Sequence, residues 1–282
     1  MPISSAWAVI SACLALICAS CAPDKGILGA DKTPRTAPQR IISLDYCADQ
    51  FVLKLADRDQ ILALSPEAER EFSYMRAAAK GVRKTRASAE SVLALQPDLV
   101  VRAYGGGVKI GDFLSRTGIE AAQLGFAEDF DGVRANIRAM AQAMGQVERG
   151  ETLIADMDRK LAAVGRTNGA PRKLLYLTPA GVTSGEGTLV HELILAAGLD
   201  NFEREAGWRP IPLERLAREQ PDRIGAASFG AKADNTNAWS SARHPIAQKQ
   251  LRDLPVVALE GAWTSCGGWF LVEAVEAMAA AR

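Results

Sequence analysis

Histidine is almost missing: His191 and His244 are the only two in 282 residues. The segment HELIL at 191–195 has no second histidine four residues on, so a zinc-protease helix is excluded. Two isolated histidines also give little material for a dense metal site of His and carboxylate ligands. The glycine clusters GGG (105–107) and SGEGT (184–188) do not lead into Lys-Ser/Thr, which excludes a phosphate cradle and leaves turns. No nucleophile elbow or Ser–His pairing is visible. Charge of one sign is not in excess either, with Lys plus Arg and Asp plus Glu at 33 each. There is no basic field to hold nucleic acid and no acidic excess to favour disorder. Aromatics make up only 6% of the chain, so each of the five tryptophans counts individually.

Long apolar runs are confined to the start. Ala6 to Ala19 carries no charge, is too short for a confident membrane span, and suits a signal-peptide core over residues 1–20. Ala19 and Ser20 stand before Cys21 as in a lipoprotein cleavage site, where the cysteine would be lipidated and the protein anchored to the membrane. The opening MPISSAWA has no Lys or Arg, and Cys18 stands where leucine is usual. Plain secretion with cleavage nearby is therefore the alternative. Residues 21–39, with Pro, Gly and Lys, read as a tether. Beyond the leader only Cys21, Cys47 and Cys266 remain. With Cys21 lipidated, an even pair is left in an oxidising compartment, which points to a Cys47–Cys266 disulfide. Two free thiols lining a pocket, or one binding a ligand's metal, are the other readings. An exported redox dithiol is a further one, although neither cysteine lies in a Cys-x-x-Cys spacing or adjoins a histidine.

Strand-like runs occur at 40–44, 61–65, 98–104 and 120–125, and again at 172–178, 222–229 and 254–260, with helix-like segments between them. This is an α/β pattern with largely parallel strands in each half. One motif occurs twice. AESVLALQPDLV (89–100) and LERLAREQPDRI (213–224) each have a glutamate, five residues, Gln-Pro-Asp and a strand. Pro97 and Pro221 end both short helices, Ser88 can cap the first, and Pro212 suits the first turn of the second. The matched position before corresponding strands indicates structural duplication. Between the halves, 131–165 carries apolar residues at three- and four-residue steps. Gly145 and Gly150 predict a break into two helices. The second, 147–165, would span about 28 Å and bridge an N-terminal lobe (40–146) and a C-terminal lobe (166–282). A cleft between such lobes is a usual small-molecule site.

The runs SAESVLALQPDLVV with AYGGG, and LLYLTPAGVTSGEGTLVHELILAAGLDNF with W-x-x-I-P-L-E-x-L behind it, resemble the helical-linker class of substrate-binding proteins. These serve bacterial ABC importers of corrinoids, ferric siderophores and haem. The resemblance covers Arg40 to the C-terminal helix. It implies two Rossmann-like lobes joined by a rigid helix, no catalysis, no resident cofactor or metal, and a monomer that grips a metal chelate between its lobes. By residue, it implies that Glu90 and Glu214 meet arginines on the two permease subunits, which work with an ATPase. The bland reading of each is a helix-start glutamate favoured by the dipole. Trp208 and Trp263 align with pocket tryptophans and Tyr104 falls within one residue of another. Trp239, in a polar stretch, could line the mouth. Trp269, before FLVEAVEAM, reads as core. Arg102, Lys109 and Arg209 could meet an anionic chelate, though solvation is the simpler role for each. Tyr46, Tyr74 and Tyr104 are the tyrosines that a haem ligand would use. TRASAE lacks the aromatic that corrinoid-binding members carry before the equivalent helix, and Gln50 stands where relatives often have glutamate. Corrinoid, siderophore and haem therefore all remain open.

Overall fold

A computed structural model describes residues 37–165, 170–230 and 240–282. Cys21, Trp239 and the leader lie outside these residues.

The first half runs β1 (Ile41–Ser43), α1 (Tyr46–Leu55), β2 (Ile61–Ala63), α2 (Ala89–Leu95), β3 (Leu99–Arg102), α3 (Gly107–Thr117), β4 (Glu120–Gln123) and α4 (Phe130–Ala143). Next come α5 (Val147–Ala163), β5 (Lys173–Leu177), β6 (Val182–Ser184), α6 (Leu189–Ala196), β7 (Asp200–Asn201) and β8 (Trp208–Pro210). The chain closes with α7 (Leu213–Leu216), β9 (Arg223–Ser228), α8 (Pro245–Asp253), β10 (Val256–Glu260) and α9 (Leu271–Ala280). Two four-stranded parallel sheets result, in the orders β2-β1-β3-β4 and β7-β5-β9-β10. The orders correspond strand for strand, and the strands that follow Gln-Pro-Asp, β3 and β9, hold the same place in each. The duplication read from the motif is therefore a duplication of the sheet.

The aspartates of that motif do matching work. Asp98 accepts from the amides of Gln39 and Arg40 at 2.8 and 2.9 Å, just before β1. Asp222 accepts from the Lys173 amide at 2.6 Å, at the start of β5. Each ties the central strand of its sheet to its neighbour. Ser88 caps α2 by accepting from the Ser91 amide.

Successive residues of a strand point to opposite faces, and here they enter different cores. Ile41 and Leu174 join one large cluster with Phe51, Met140, Met157 and Phe270; it runs through both lobes. Ile42 packs under α2 and α3, while Leu175 packs near α7 and α8. The inner faces of the sheets thus share a core, and each outer face has its own helices.

α5 is held at both ends. Arg149 pairs with Asp57 at 2.7 Å, beside the end of α1, and Lys160 pairs with Glu273 of α9 at 3.1 Å. Arg134 and Arg138 of α4 reach Asp158 and Glu151 at 2.7 and 2.8 Å. Gly150 lies within α5, against Ala141 of α4, where a side chain would collide. The break falls at Gly145, whose φ of 72° favours glycine.

Three strands lay outside the sequence reading. β7 is two polar residues, and β8 is exposed along its whole length and pairs antiparallel with β6. Neither shows the apolar alternation on which strand recognition rests.

Candidate functional site

The chain after β1 meets the chain after β10, where Cys47 is bonded to Cys266. At the end of β1, Asp45 caps α1 by accepting from the Ala48 amide at 2.9 Å. Its second oxygen accepts from the amides of Ala103, Tyr104 and Gly105 at 2.7, 3.1 and 2.9 Å. One buried carboxylate thus serves four backbone donors and fixes the β3–α3 turn beside α1. Gly105 is required there, because any side chain would meet the Leu44 backbone.

Four residues on, Asp49 is wholly buried and accepts from the hydroxyls of Ser43 and Ser65 and the amide of Ser65. Burial pushes its carboxyl up to about 6, against these hydrogen bonds. Gln50 donates to Ser73 Oγ at 2.8 Å and accepts from the Met75 amide at 2.6 Å. Its Nε2 also donates to the Tyr46 carbonyl at 2.6 Å, a bond that a glutamate could not make unless protonated. Gln50 thereby pins residues 65–87, a run of turns that lies against the other lobe.

The seam between lobes is short and mixed. Cys47 and Cys266 form a disulfide with a Cα separation of 5.5 Å. Ser265 donates to the Phe72 carbonyl at 2.8 Å, and the Tyr46 hydroxyl donates to the Ser265 carbonyl at 3.4 Å. Arg76 pairs with Glu260 at 3.5 Å.

Aromatic rings flank this seam. From the N-terminal lobe, Tyr46 meets Phe72 and Tyr104 edge-on at 4.8 and 6.0 Å. From the C-terminal lobe, Trp208 meets Tyr176 edge-on at 6.3 Å, and the Tyr176 hydroxyl lies 3.4 Å from Thr264 Oγ1. Tyr104 and Trp208 are half-exposed, at 54% and 52%. Trp263 is partly buried against the shared core. Burial raises the Tyr46 and Tyr104 phenols, helped at Tyr104 by Tyr46 and at both by the negative charge of Asp45, and pushes Tyr176 up to about 12. All three stay protonated at neutral pH, so these rings carry no charge.

Other candidates fall elsewhere. Tyr74 stacks on Phe270 at 4.6 Å and meets Trp269 edge-on, inside the shared core. Trp269 itself packs edge-on against Phe51. Arg102 is buried and donates to the Gly107 carbonyl at 2.9 Å, holding the start of α3; the solvated role expected for it is corrected. Lys109 and Arg209 are exposed. Glu90 and Glu214 are exposed at the starts of α2 and α7. The Glu90 carboxyl is held below its ordinary range by its own amide and by the Ser88 hydroxyl. His191 Nδ1 lies 3.1 Å from the Asn201 amide nitrogen, and His244 caps α8. Among the described residues, no group of three or more His, Cys, Asp or Glu is placed to hold a metal.

Residues 41–238, well over half the chain, match the family model described as periplasmic binding protein. The chain belongs to the periplasmic binding protein family. This is a family of binding proteins, not enzymes, and the redox-enzyme reading falls with that assignment. The binding protein is 25% identical over 214 residues to a cobalamin-binding protein of Halobacterium salinarum, covering 73% of this chain and 57% of that relative. It thus spans little more than half the length of the curated relatives it matches. Among solved structures, it resembles a periplasmic heme-binding protein of Roseiflexus sp. RS-1 in apo form. The TM-score is 0.68 at 22% identity, covering 86% of this chain and 98% of that one. It also resembles a periplasmic vitamin B12 binding protein of Vibrio cholerae, with a TM-score of 0.61 at 20% identity, covering 86% and 96%. At such identities the likeness is one of fold. No helix among the described residues is long and apolar enough to cross a membrane.

Proposed function

We propose that the binding protein captures a metal-chelate nutrient between its lobes and delivers it to an ABC permease dimer with its ATPase. The chelate is a corrinoid first and a ferric siderophore second. The observation that carries this is an uncharged ring pair on each lobe, Tyr46–Tyr104 and Tyr176–Trp208, whose Tyr46 and Tyr176 hydroxyls reach the consecutive residues Ser265 and Thr264 at the seam. Aromatic faces offer broad apolar contact at small entropy cost, which suits a macrocycle. The name of the Halobacterium relative adds support for a corrinoid. Haem is the alternative reading, favoured by the heme-binding names among the structural relatives; Tyr46 or Tyr104 would then supply the ligand. Their raised phenols weigh against a preformed phenolate. Trp263 belongs to the same proposed surface, and Trp239 remains a candidate for it.

Thermal shift of the purified mature protein with cobalamin, cobinamide, haem and ferric siderophores tests this. A true ligand at a hundred times its dissociation constant should stabilise by about 2.7 kcal/mol. No shift with any of them would sink the proposal.

Glu90 and Glu214 are the proposed docking carboxylates. They stand at equivalent places in the two sheet repeats, exposed and without an ion pair among the described residues, as a two-fold partner requires. The double variant Glu90→Lys, Glu214→Lys should lose uptake while keeping ligand affinity. Unchanged uptake would remove the docking role. On this reading the protein is exported, consistent with its disulfide, and Cys21 is the proposed lipid anchor.

A further inference from the structure

At 83% exposure, Phe126 leaves more of its ring in water than any other large apolar side chain among the described residues. Its backbone is pinned all the same. Both backbone groups of the preceding Gly125 are bonded to the Asn136 side chain, at 2.9 and 2.8 Å. The following Ala127 is buried at the lobe junction: a Cβ on Gly267 would lie 3.2 Å from its methyl and 3.4 Å from Leu189 Cδ2. A phenylalanine between two such fixed residues is held out of the core by the fold.

The register places its segment beside that of Tyr104. Arg102 of β3 pairs with Gln123 of β4, and the Leu124 amide extends the ladder to the Arg102 carbonyl at 2.8 Å. The chain segments carrying Tyr104 and Phe126 therefore leave adjacent strand ends side by side, roughly 5 Å apart. On the other lobe, Leu189 opens α6 directly after the loop that carries Ser184, the partner of Trp208. Phe126 thus adjoins the lobe junction through Ala127, on the chain segment next to the one that carries Tyr104.

We propose that Phe126 is a ligand-contact residue: with Tyr104 it forms the wall of the N-terminal lobe and selects a chelate broad and apolar enough to reach it. The inference rests on the proposed function and deepens it. A compact chelate held near the disulfide seam would leave Phe126 in water, whereas a macrocycle would cover it and gain the burial of a ring.

The test is titration of wild type, Phe126→Ala, Phe126→Trp and Trp208→Ala with cyanocobalamin, cobinamide and haem, followed by intrinsic fluorescence. Alongside it, the unfolding midpoint of each ligand-free protein is measured. Phe126→Ala should weaken macrocycle binding by about tenfold or more. Its ligand-free midpoint should stay close to wild type, because the ring is 83% exposed, and Phe126→Trp should bind close to wild type. If Trp208→Ala loses affinity while Phe126→Ala keeps it, the inference is overturned and the cleft reading stands. If wild type binds none of the three, the inference falls, and the proposed function falls with it only where ferric siderophores also give no thermal shift.

Discussion

Loss of the Cys47–Cys266 disulfide, by reduction or by Cys47→Ser with Cys266→Ser, is expected to lower stability more than any other single change. The bond closes a loop with a sequence separation of 219 residues. Chain entropy alone assigns such a loop roughly 5 kcal/mol, and measured values are often smaller. At ~2–4 °C per kcal/mol for a chain of this size, the midpoint should fall by about 10–20 °C. The bond also spans the lobes, so its removal has a second effect that a bond within one lobe would not have. Beside the shared core, where Tyr74 stacks on Phe270, the polar contacts left at the seam are Ser265 on the Phe72 carbonyl, Tyr46 on the Ser265 carbonyl and the exposed Arg76–Glu260 pair. Exposed pairs are worth at most about 1 kcal/mol. The opened protein should release ligand faster, which stopped-flow displacement would show. Thiol titration of the denatured, unreduced mature protein comes first, and two reactive thiols from these positions would end the argument. A midpoint within 2–3 °C of wild type, or about 1 kcal/mol, would show that the shared core alone holds the lobes.

What could be read in the chain in advance was local or repeated. The strands β1, β3, β5, β9 and β10 carry apolar runs, and Gly145 breaks α4 from α5, so period and punctuation located them. The Gln-Pro-Asp repeat revealed the duplication, because two copies of one local signal need no knowledge of contacts. Its purpose was hidden: Asp98 and Asp222 act on strands roughly fifty residues or more away in sequence. Residues 65–87 were unreadable for a related reason. They have no regular period, and their course is set by Gln50 and by the opposite lobe. Tyr74 and Arg102 show the same limit at the site. Residue type made both plausible ligand contacts, but Phe270 and the Gly107 carbonyl, which sequence does not reveal, claim them. Phe126 is the converse, since a lone phenylalanine in a loop gives no sign that the fold will hold its ring in water.

Asp45→Ala is expected to damage both stability and binding. Asp before a helix is legible as a cap, and loss of a cap alone costs about 1 kcal/mol. Here the same carboxylate also serves the amides of Ala103, Tyr104 and Gly105, so alanine would strand four donors at a site only 2% exposed. Each buried donor left without a partner costs about 1–3 kcal/mol, less what water entering the gap restores. A loss on the order of 3–5 kcal/mol follows. Asp45→Asn should fall between, because its amide nitrogen cannot accept and must face one of the two sets of donors. Urea unfolding would read the loss as a lower midpoint at unchanged slope. Hydrogen exchange would place it at the 103–105 amides. Since these amides set the position of Tyr104, ligand affinity should drop in Asp45→Asn even where the protein stays folded. A stability loss under 1 kcal/mol in Asp45→Ala, with unchanged exchange at 103–105, would reduce Asp45 to an ordinary helix cap.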